Sequence, residues 1–385
     1  MKRLSFASDE LTRLKEQNLY RETFCMDSAQ GPKVRVDGKE LLCFCSNDYL
    51  GLANDPRVRE AATRAIEKFG VGAGASRLIN GTMRLHEELE QRLAAFKGCE
   101  DSLVFPTGYM ANVGVISALV GREDTVIIDR LDHASIIDGC RLSGARLRVY
   151  RHCDVVSLEK ALTLSKKARR RLIVTDGVFS MDGDIAPLND IVKLAECHDA
   201  ILMVDDAHGT GVLGKNGRGA LEYLGVEDKI NLCIGTLSKA VGSLGGFVVG
   251  PCHLIDYLRN CCRSFIYTTA LSPPMLAGAI AALDIIRNEP ERRVRLASLV
   301  TQVRDGLRSI GIEVTDSPSP IISVEVGKTG AAVSLAKRLR SEGILVVAIR
   351  PPTVPEGTAR LRVSIQSQHT EEDVCRLVSA LKAAR

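Results

Sequence analysis

The chain has 385 residues, of which 45% are hydrophobic and 25% are charged, a composition typical of globular proteins. A chain of this length is too long to form one ordinary hydrophobic core. A net charge of +4 and an aromatic content of 4% do not favour a nucleic-acid-binding protein. No apolar stretch is long enough to span a membrane and the first 19 residues lack a signal-peptide core, so we expect an unexported protein of two domains.

The predicted elements begin with an amphipathic helix over residues 8–20 and a short strand over 41–45. Helical periodicity follows over 56–69 and 84–97. Seven apolar runs then predict strands, with helix-like segments between several of them: 102–105, 125–129, 147–150, 172–175, 201–204, 232–234 and 246–249. Because strands that alternate with helices form parallel sheets covered on both faces, we predict an α/β protein with a mostly parallel, doubly wound, seven-stranded sheet.

The pattern changes after a long helix predicted over 273–288. Helices are predicted over 293–309, 330–342 and 370–384, and strands over 321–326, 344–348 and 360–365. This mixture predicts a smaller α+β domain at the C-terminal end. The predicted division is therefore an N-terminal segment at 1–45, a large domain at 46–288 and a small domain at 289–385.

The run 201–211 is an apolar strand that ends in two acids and a histidine, followed by glycines. In open α/β sheets the carboxyl ends of the strands face the ligand crevice. An acid buried there, such as Asp205, is costly unless it meets a cation, and a protonated pyridine nitrogen is such a cation. His208 could reach a ring hydroxyl; the alternative is an acidic strand cap with a surface histidine.

Lys239 stands among small residues in the run 235–246, which follows another short strand. A lysine shielded from water becomes a usable amine, which suits a Schiff base. Thr236 and Ser238 could offer hydroxyl groups to a phosphate. The alternative is a glycine-rich loop with a solvated lysine.

Three further strand ends carry polar groups. Gly108 and Tyr109 open a helix directly after a strand, where free N–H groups and the helix dipole suit an anion. His133 and Ser180 also follow strands. Each signal alone is more typical of an ordinary turn or a surface side chain, but together these strand ends suit one phosphorylated, cationic ring.

The predicted small domain contains a loop over 349–362 with three prolines and one glycine. Arg350 lies at its start and Arg362 at its end, and arginine binds carboxylates in a bidentate fork. Arg362 alternates with apolar residues, so it is expected to point from a strand towards the crevice. A surface loop with scattered arginines is the alternative.

Two patterns favour other classes of protein. Residues 209–214 match the dinucleotide pattern G-x-G-x-x-G, but a glycine-rich loop follows where that fold needs a helix. The basic run 166–171 could contact nucleic acid, but an apolar run follows it directly, which favours a solvated turn before a buried strand.

The twelve cysteines contain no Cys-x-x-Cys spacing, although Cys43 and Cys45 are one residue apart and Cys261 and Cys262 are adjacent. We therefore predict no metal site and buried, reduced thiols. Reduced thiols indicate a reducing compartment, here the cytoplasm.

Together these motifs resemble the α-oxoamine synthases, a family of fold-type I enzymes that use pyridoxal 5′-phosphate (PLP). The resemblance covers nearly the whole chain and is carried by the run 47–51, the loop 350–362 and four short motifs. Those motifs are Asp132-His133-Ala134-Ser135, Ser180-Met181-Asp182-Gly183-Asp184, Asp205-x-Ala207-His208 and Thr236-x-x-Lys239.

The resemblance implies a role for each motif residue. Lys239 would hold PLP as a Schiff base, Asp205 would pair with the pyridine nitrogen, and His133 would stack on the ring and contact substrate. Further cofactor contacts are implied for Gly108, Tyr109, Ser180, His208 and Thr236. Substrate contacts are implied for Arg362, which would take the amino-acid carboxylate, and for Arg21, Asn47, Arg350 and Thr353.

Members of the family are homodimers with shared sites, so the resemblance also implies a second copy of the chain as partner. The segment Tyr267-Thr268-Thr269 resembles one that reaches the partner's phosphate, and 72–77 resembles a loop lining the site. Thr268 and Ala270 stand where some members have serines, which puts that phosphate contact in doubt.

Within the family, the loop 350–362 is most similar to the branch that condenses L-alanine with a pimeloyl thioester. The expected products are 8-amino-7-oxononanoate, CO2 and the free thiol carrier, in biotin biosynthesis. Coenzyme A and acyl-carrier protein both remain open as the carrier. The alternatives are another α-oxoamine synthase, such as one joining glycine and acetyl-CoA, and more distantly a PLP aminotransferase.

Overall fold

The computed structural model describes residues 2–384, so Met1 and Arg385 lie outside the described residues. The helices are α1 (Ser5–Glu16), α2 (Pro56–Phe69), α3 (Arg84–Lys97), α4 (Gly108–Leu119), α5 (Ala134–Ser143), α6 (Val155–Thr163), α7 (Leu188–Cys197), α8 (Ala220–Leu224), α9 (Cys252–Cys261), α10 (Arg263–Ile266), α11 (Pro273–Asn288), α12 (Glu291–Ser309), α13 (Thr329–Ser341) and α14 (Glu371–Ala383). The strands are β1 (Lys33–Val36), β2 (Lys39–Cys43), β3 (Asp101–Phe105), β4 (Thr125–Asp129), β5 (Arg146–Tyr150), β6 (Arg171–Asp176), β7 (Ile201–Asp205), β8 (Leu232–Thr236), β9 (Gly246–Gly250), β10 (Ile321–Gly327), β11 (Ile344–Leu345), β12 (Val347–Ile349) and β13 (Ala359–Ser364).

The chain divides into two compact units. The first comprises Met1–Gly51, Met181–Gly183 and Arg295–Arg385, and the second comprises Leu52–Ser180 and Asp184–Val294. The predicted domain boundaries after residues 45 and 288 stay a prediction.

The second unit contains a seven-stranded sheet in the order β3-β9-β8-β7-β6-β4-β5. Only β9 runs antiparallel to its neighbours β3 and β8, and the other neighbouring pairs are parallel. Strands such as β4 and β8 are buried along their whole length, as strands covered on both faces must be. The predicted seven-stranded, mostly parallel sheet is confirmed.

The first unit contains two small sheets, β1-β2-β11 and the antiparallel β10-β13-β12. The single strand predicted over 344–348 is in fact two strands. The reason is that β11 pairs with β2, whereas β12 pairs with β13 in the other sheet. The predicted α+β character of this part is confirmed.

Helix α1 ends at Glu16, four residues before the predicted end. Asn18 has a φ of 58°, a left-handed conformation that a continuing helix cannot contain. Among the described residues, no helix is long and apolar enough to cross a membrane.

The twelve cysteines are free, but they are less buried than predicted. Four are buried and three are partly buried. The prediction of buried thiols was wrong for the remaining five, which are exposed: Cys25, Cys197, Cys252, Cys261 and Cys375.

Candidate active site

A cavity of about 210 Å³ lies in the second unit, at the carboxyl ends of the parallel strands. It brings together all eight residues predicted to bind the cofactor. Its lining consists of Thr107, Gly108, Tyr109, Asn112, His133, Ser135, Asp176, Ser180, Asp205, Ala207, His208, Ile234, Gly235, Thr236, Ser238 and Lys239.

Lys239 lies in the turn that follows β8, and its Nζ is 2.8 Å from Nε2 of buried His208. The turn is closed by a hydrogen bond from Gly242 N to the carbonyl of Lys239, at 2.9 Å. Gly242 has a φ of 68°, and a Cβ there would lie 2.4 Å from the backbone nitrogen of Ala53. The position therefore requires glycine, and the tight turn holds Lys239 at the cavity.

Asp205 ends β7 and is buried. Its Oδ2 accepts a hydrogen bond from Asn112 Nδ2 at 2.6 Å, and its Oδ1 accepts one from the backbone N–H of Ala207 at 3.0 Å. Asn112 also donates to Ser135 Oγ at 2.9 Å, which fixes the amide. These donors are neutral, so they orient the carboxylate without cancelling its charge, and it remains suited to a cationic partner.

A group of anion-binding donors lies at the start of α4. Thr107 caps the helix by accepting from Met110 N at 3.1 Å, which leaves earlier N–H groups for a ligand. A Cβ on Gly108 would lie 3.4 Å from Thr236 Cβ, so the helix start and the end of β8 are close together. Thr236 Oγ1 lies 2.7 Å from Ser238 Oγ and adds hydroxyl groups to the same site.

Tyr109 is half exposed, and its hydroxyl donates to Asp138 Oδ2 at 2.5 Å. That hydrogen bond raises the pKa of Tyr109. The phenol ring is thereby tethered at the side of the cavity.

His133 caps α5, and its Nδ1 lies 2.7 Å from Ser135 Oγ. Its backbone N–H donates to Asp176 Oδ2 at 2.9 Å. The side chain is exposed at the cavity, yet the protein around the ring keeps water from part of it, and this desolvation lowers the pKa of His133. The nearby Asp205 carboxylate raises the pKa, but by less. A mainly neutral imidazole can stack on an aromatic ring or donate one hydrogen bond.

Eight residues of the lining were not among the predicted site residues, and they include three polar side chains that were not singled out from the sequence: Asn112, Ser135 and Asp176. Asp176 had a usable signal, because it ends β6 as Asp205 ends the neighbouring β7, and the two are paired in register. Burial and then the neighbouring Asp205 raise the pKa of Asp176. Asn112 lies one helical turn after Gly108, on the same face of α4.

Arg362 and Asn47, two of the predicted substrate residues, contact each other in the first unit. Arg362 is buried in β13, where it donates to Asn47 Oδ1 at 3.1 Å and to Ser364 Oγ at 2.9 Å. The Oη of buried Tyr49 lies 3.4 Å from the same guanidinium. These contacts hold the guanidinium in a fixed position in β13.

Arg21, Arg350 and Thr353, also predicted to contact substrate, lie in the first unit as well, whereas His133 lies in the second. Arg350 donates to the backbone carbonyls of Asn18 at 2.5 Å and Tyr20 at 2.7 Å. Burial and the neighbouring Arg21 lower the pKa of Arg350. Arg21 and Thr353 are exposed.

A larger groove of about 850 Å³ lies in the first unit, lined by residues that include Glu325 and Arg338. None of the predicted site residues lines this groove. The smaller cavity is therefore the candidate active site, because of the polar side chains that line it and not because of its volume.

One group of possible metal ligands occurs among the described residues: Asp129, His152 and Cys153, whose ligand atoms lie within 4.8 Å of one another. His152 Nδ1, however, lies 2.9 Å from Asp129 Oδ1, a hydrogen-bond distance. Two ligands of one tetrahedral zinc ion are farther apart, roughly 3.3 Å for bonds of about 2.0 Å. The predicted lack of a metal stays a prediction.

The cavity residues fit PLP by the chemistry of their donors. A helix start and two hydroxyl groups suit the phosphate, Asp205 suits the ring nitrogen, and Lys239 supplies an amine. His133 and His208 add imidazole groups for the face and the edge of a ring. A lysine amine beside an electron-withdrawing ring can bind carbonyl groups and move protons next to them.

Comparisons with known proteins agree with this chemistry. A family model described as aminotransferase class I and II matches residues 39–381. A protein from Nitrosococcus oceani named 8-amino-7-oxononanoate synthase is 50% identical over 373 residues, which are 97% of this chain and 99% of that protein.

Solved structures give the same fold. A serine palmitoyltransferase variant from S. paucimobilis, with PLP and myriocin bound, has a TM-score of 0.94 and 36% identity, covering 100% of this chain and 97% of that chain. An 8-amino-7-oxononanoate synthase from Francisella tularensis has a TM-score of 0.78 and 30% identity, and the match covers 89% of this chain and 97% of that chain. The predicted fold-type I fold is thereby confirmed. The chain belongs to the aminotransferase class I and II family and, within it, to the family of 8-amino-7-oxononanoate synthases.

Proposed function

We propose that the chain is a PLP-dependent acyltransferase that condenses L-alanine with a pimeloyl thioester. The products are 8-amino-7-oxononanoate, CO2 and the free thiol carrier, and the reaction belongs to biotin biosynthesis. The observation that carries the proposal is the cavity in which Lys239, His208 and Asp205 meet beside a helix start, in a chain 50% identical to a protein with that named activity.

Sequence identity favours this substrate pair over that of the serine palmitoyltransferase, which is 36% identical. The higher TM-score of the palmitoyltransferase does not reverse this preference, because one fold supports many activities. Another α-oxoamine synthase activity is therefore the second candidate.

PLP, when bound, supplies an electron sink for the amino acid's α-carbon. Lys239 Nζ holds the cofactor and, once released, accepts the Cα proton of L-alanine. Asp205, oriented by Asn112, keeps a proton on the ring nitrogen. His208, 2.8 Å from Lys239 Nζ, orients that amine.

The substrate's groups have separate partners. Arg362 binds the carboxylate of L-alanine, with Asn47 orienting the guanidinium. His133 donates to the thioester carbonyl oxygen as negative charge develops there. Arg21, Arg350 and Thr353 contact the acyl chain or its distal carboxylate.

Lys239→Ala tests the role of the amine. We expect turnover to fall by at least about 10³-fold, because both cofactor attachment and proton transfer are lost. The visible absorption that PLP gains on attachment to Lys239 should disappear as well. Lys229→Ala, at an exposed lysine, is the control and should retain both properties. Normal turnover by Lys239→Ala would contradict the proposal.

A product assay tests the substrates and the carrier. L-alanine and glycine are each combined with pimeloyl and acetyl thioesters, of coenzyme A and of acyl-carrier protein, and product, CO2 and free thiol are measured. We expect L-alanine and a pimeloyl thioester to give all three. Amino-group transfer without CO2 or thiol would instead indicate an aminotransferase.

We also propose a homodimer with shared sites, in the cytoplasm, where free cysteines stay reduced. The two segments that resemble shared-site loops lie together, because Ser76 and Thr269 form a β-bridge. Large apolar side chains beside them are exposed: Val71 by 72%, Ile79 by 80% and Tyr267 by 71%. Apolar groups clustered in this way favour a partner surface.

Ile79→Lys tests this surface. A charge placed in an apolar interface should weaken the dimer, and activity should fall with it if the sites are shared. Light scattering after size-exclusion chromatography measures the mass, and Leu164→Lys, at a side chain 66% exposed, is the control. An unchanged dimer in Ile79→Lys would show that this surface is not the interface.

A further inference from the structure

His152 lies in the loop between β5 and α6 and contacts a carboxylate on each side of its ring. Nδ1 is 2.9 Å from Asp129 Oδ1, and Nε2 is 2.7 Å from Asp184 Oδ2. Both ring nitrogens can donate only when the imidazole carries a second proton. Burial alone would lower the pKa of His152, but the hydrogen bonds to Asp129 and Asp184, together with Cys153, raise it to about 12. The ring is therefore an imidazolium.

On one side, hydrogen bonds lead from His152 to His133 at the cavity. The backbone N–H of Asp129 donates to Asp132 Oδ2 at 2.8 Å. The other oxygen of Asp132 accepts from Asp176 N at 2.8 Å, and Asp176 Oδ2 accepts from His133 N at 2.9 Å. The carboxylate held by His152 thus lies in the segment that places His133.

On the other side, His152 contacts the hairpin that carries Ser180. Phe179 N donates to the carbonyl of Asp184 at 2.9 Å, and Val178 forms a β-bridge with Ile185. The ring of Phe179 meets the edge of the His152 ring, with centroids 4.5 Å apart and an interplanar angle of 86°. A hydrogen bond and a ring contact therefore fix the base of this hairpin on His152.

The charges make His152 more than a packing contact. Asp129 and Asp184 each pair with His152, at 2.9 Å and 2.7 Å, whereas Asp176, nearer the cavity, is acted on by the charge of Lys239. Besides Asp129 and Asp184, the titratable side chain facing the ring is Cys153, whose Sγ lies 3.7 Å from Nε2. The His152 ring thus lies between the carboxylates of Asp129 and Asp184 and contacts both of them, so its loss would leave two carboxylates facing each other.

We propose that His152 is a positioning residue, whose two ring nitrogens hold Asp129 and Asp184 together and so place His133 and Ser180 at the cavity. The role rests on the proposed PLP site. His152 itself does not touch the reacting atoms, and it acts through the two segments that it joins.

His152→Gln tests the role, because glutamine can donate but carries no charge and cannot span both carboxylates. His253→Gln, at an exposed histidine, is the matched control. We expect His152→Gln to fold, to bind PLP about tenfold more weakly and to lose about tenfold in kcat, as is usual when partners that orient site residues are lost. The KM for L-alanine should change less than twofold, because Arg362 does not depend on His152.

Titration of PLP into the PLP-free protein measures the affinity, and circular dichroism checks folding. If His152→Gln fails to fold, Asp184→Asn replaces it, since it keeps the ring and removes one charged partner. Asp184→Asn should weaken PLP binding in the same direction. Unchanged PLP affinity and kcat in a folded variant would overturn the proposal.

Nitrogen-15 NMR of labelled histidines gives a second readout that does not depend on activity. The two ring nitrogens of His152 should both stay protonated at pH 9, with or without PLP. A His152 ring that loses its proton near pH 6.5 would overturn the proposal. Wild-type protein that fails to bind PLP would instead contradict the proposed function, while leaving the NMR result valid.

Discussion

At the scale of single residues, the loop between Asp205 and His208 is held by a buried ion pair. Lys97 Nζ lies 2.8 Å from Asp206 Oδ2, and the two side chains are 3% and 0% exposed. Lys97 also donates to Thr210 Oγ1 at 3.1 Å and to the carbonyl of Arg218. Burial opposes the lysine's charge, but Asp206 and other neighbours raise the pKa of Lys97 above its usual value. The pair anchors the residue next to Asp205.

Lys97→Met should destabilise the protein by about 3–5 kcal/mol, because the Asp206 carboxylate would stay buried without its cation. Urea unfolding followed by circular dichroism measures the loss. The control is Arg64→Met, which breaks an exposed pair with Glu60 and should cost less than about 0.5 kcal/mol. Equal stability of the two variants would show that the buried pair is not needed.

At the scale of elements, the anion site depends on how closely β9 approaches the start of α4. A Cβ on Gly246 would lie 2.5 Å from the backbone nitrogen of Gly108 and 2.6 Å from the carbonyl carbon of Thr107. Both contacts are with backbone, which cannot rotate away as a side chain can. Glycine at 246 therefore lets the N–H groups of the helix reach the cavity.

Gly246→Ala should displace the start of α4 and weaken PLP binding by at least about tenfold, with a loss of about 1–3 kcal/mol in the free energy of unfolding. Gly121→Ala is the matched control, since a Cβ there meets nothing within 4 Å. PLP titration and urea unfolding measure the two effects. A Gly246→Ala protein that binds PLP normally would contradict the role given to this contact.

At the scale of the whole molecule, each unit contains a buried histidine whose pKa burial lowers to about 4, His86 in the second and His369 in the first. His369 accepts from Gln366 N at 3.0 Å, lies 3.1 Å from the carbonyl of Cys43 and stacks on Phe44. A neutral imidazole satisfies both of these polar contacts.

The unfolded chain takes up a proton at each of these histidines below about pH 6.5, and the folded chain does so only below about pH 4. Their contribution to stability is therefore complete above pH 6.5 and is lost as the pH falls towards 4. The loss is up to about 1.4 kcal/mol per pH unit for each histidine.

In His369→Gln, the free energy of unfolding should fall less between pH 6.5 and pH 4.5 than it does in the wild type, although the variant is less stable at pH 7. Urea unfolding of the wild type and of His369→Gln at several pH values measures how steeply the free energy of unfolding depends on pH. An acid slope in His369→Gln equal to that of the wild type would contradict this assignment.

The sequence by itself determined the seven strands, the small α+β part and the strand ends that carry Gly108, His133, Ser180, Asp205, His208, Thr236 and Lys239. Strand alternation and turn residues are local properties of the chain, so they can be recognised without the fold. The carboxyl ends of parallel strands share one edge, which is why residues far apart in sequence could be predicted to share one site.

The contacts that these residues make depend on how the chain packs in three dimensions. Asn112 orients Asp205, Lys97 pairs with Asp206, and His152 joins Asp129 to Asp184 across 23 and 32 residues of sequence. The division of 344–349 between two sheets, and the exposure of five cysteines, were likewise settled by packing. The physical reason is that hydrogen-bond partners, burial and pKa depend on side chains that folding brings close from distant positions, and no local pattern records them.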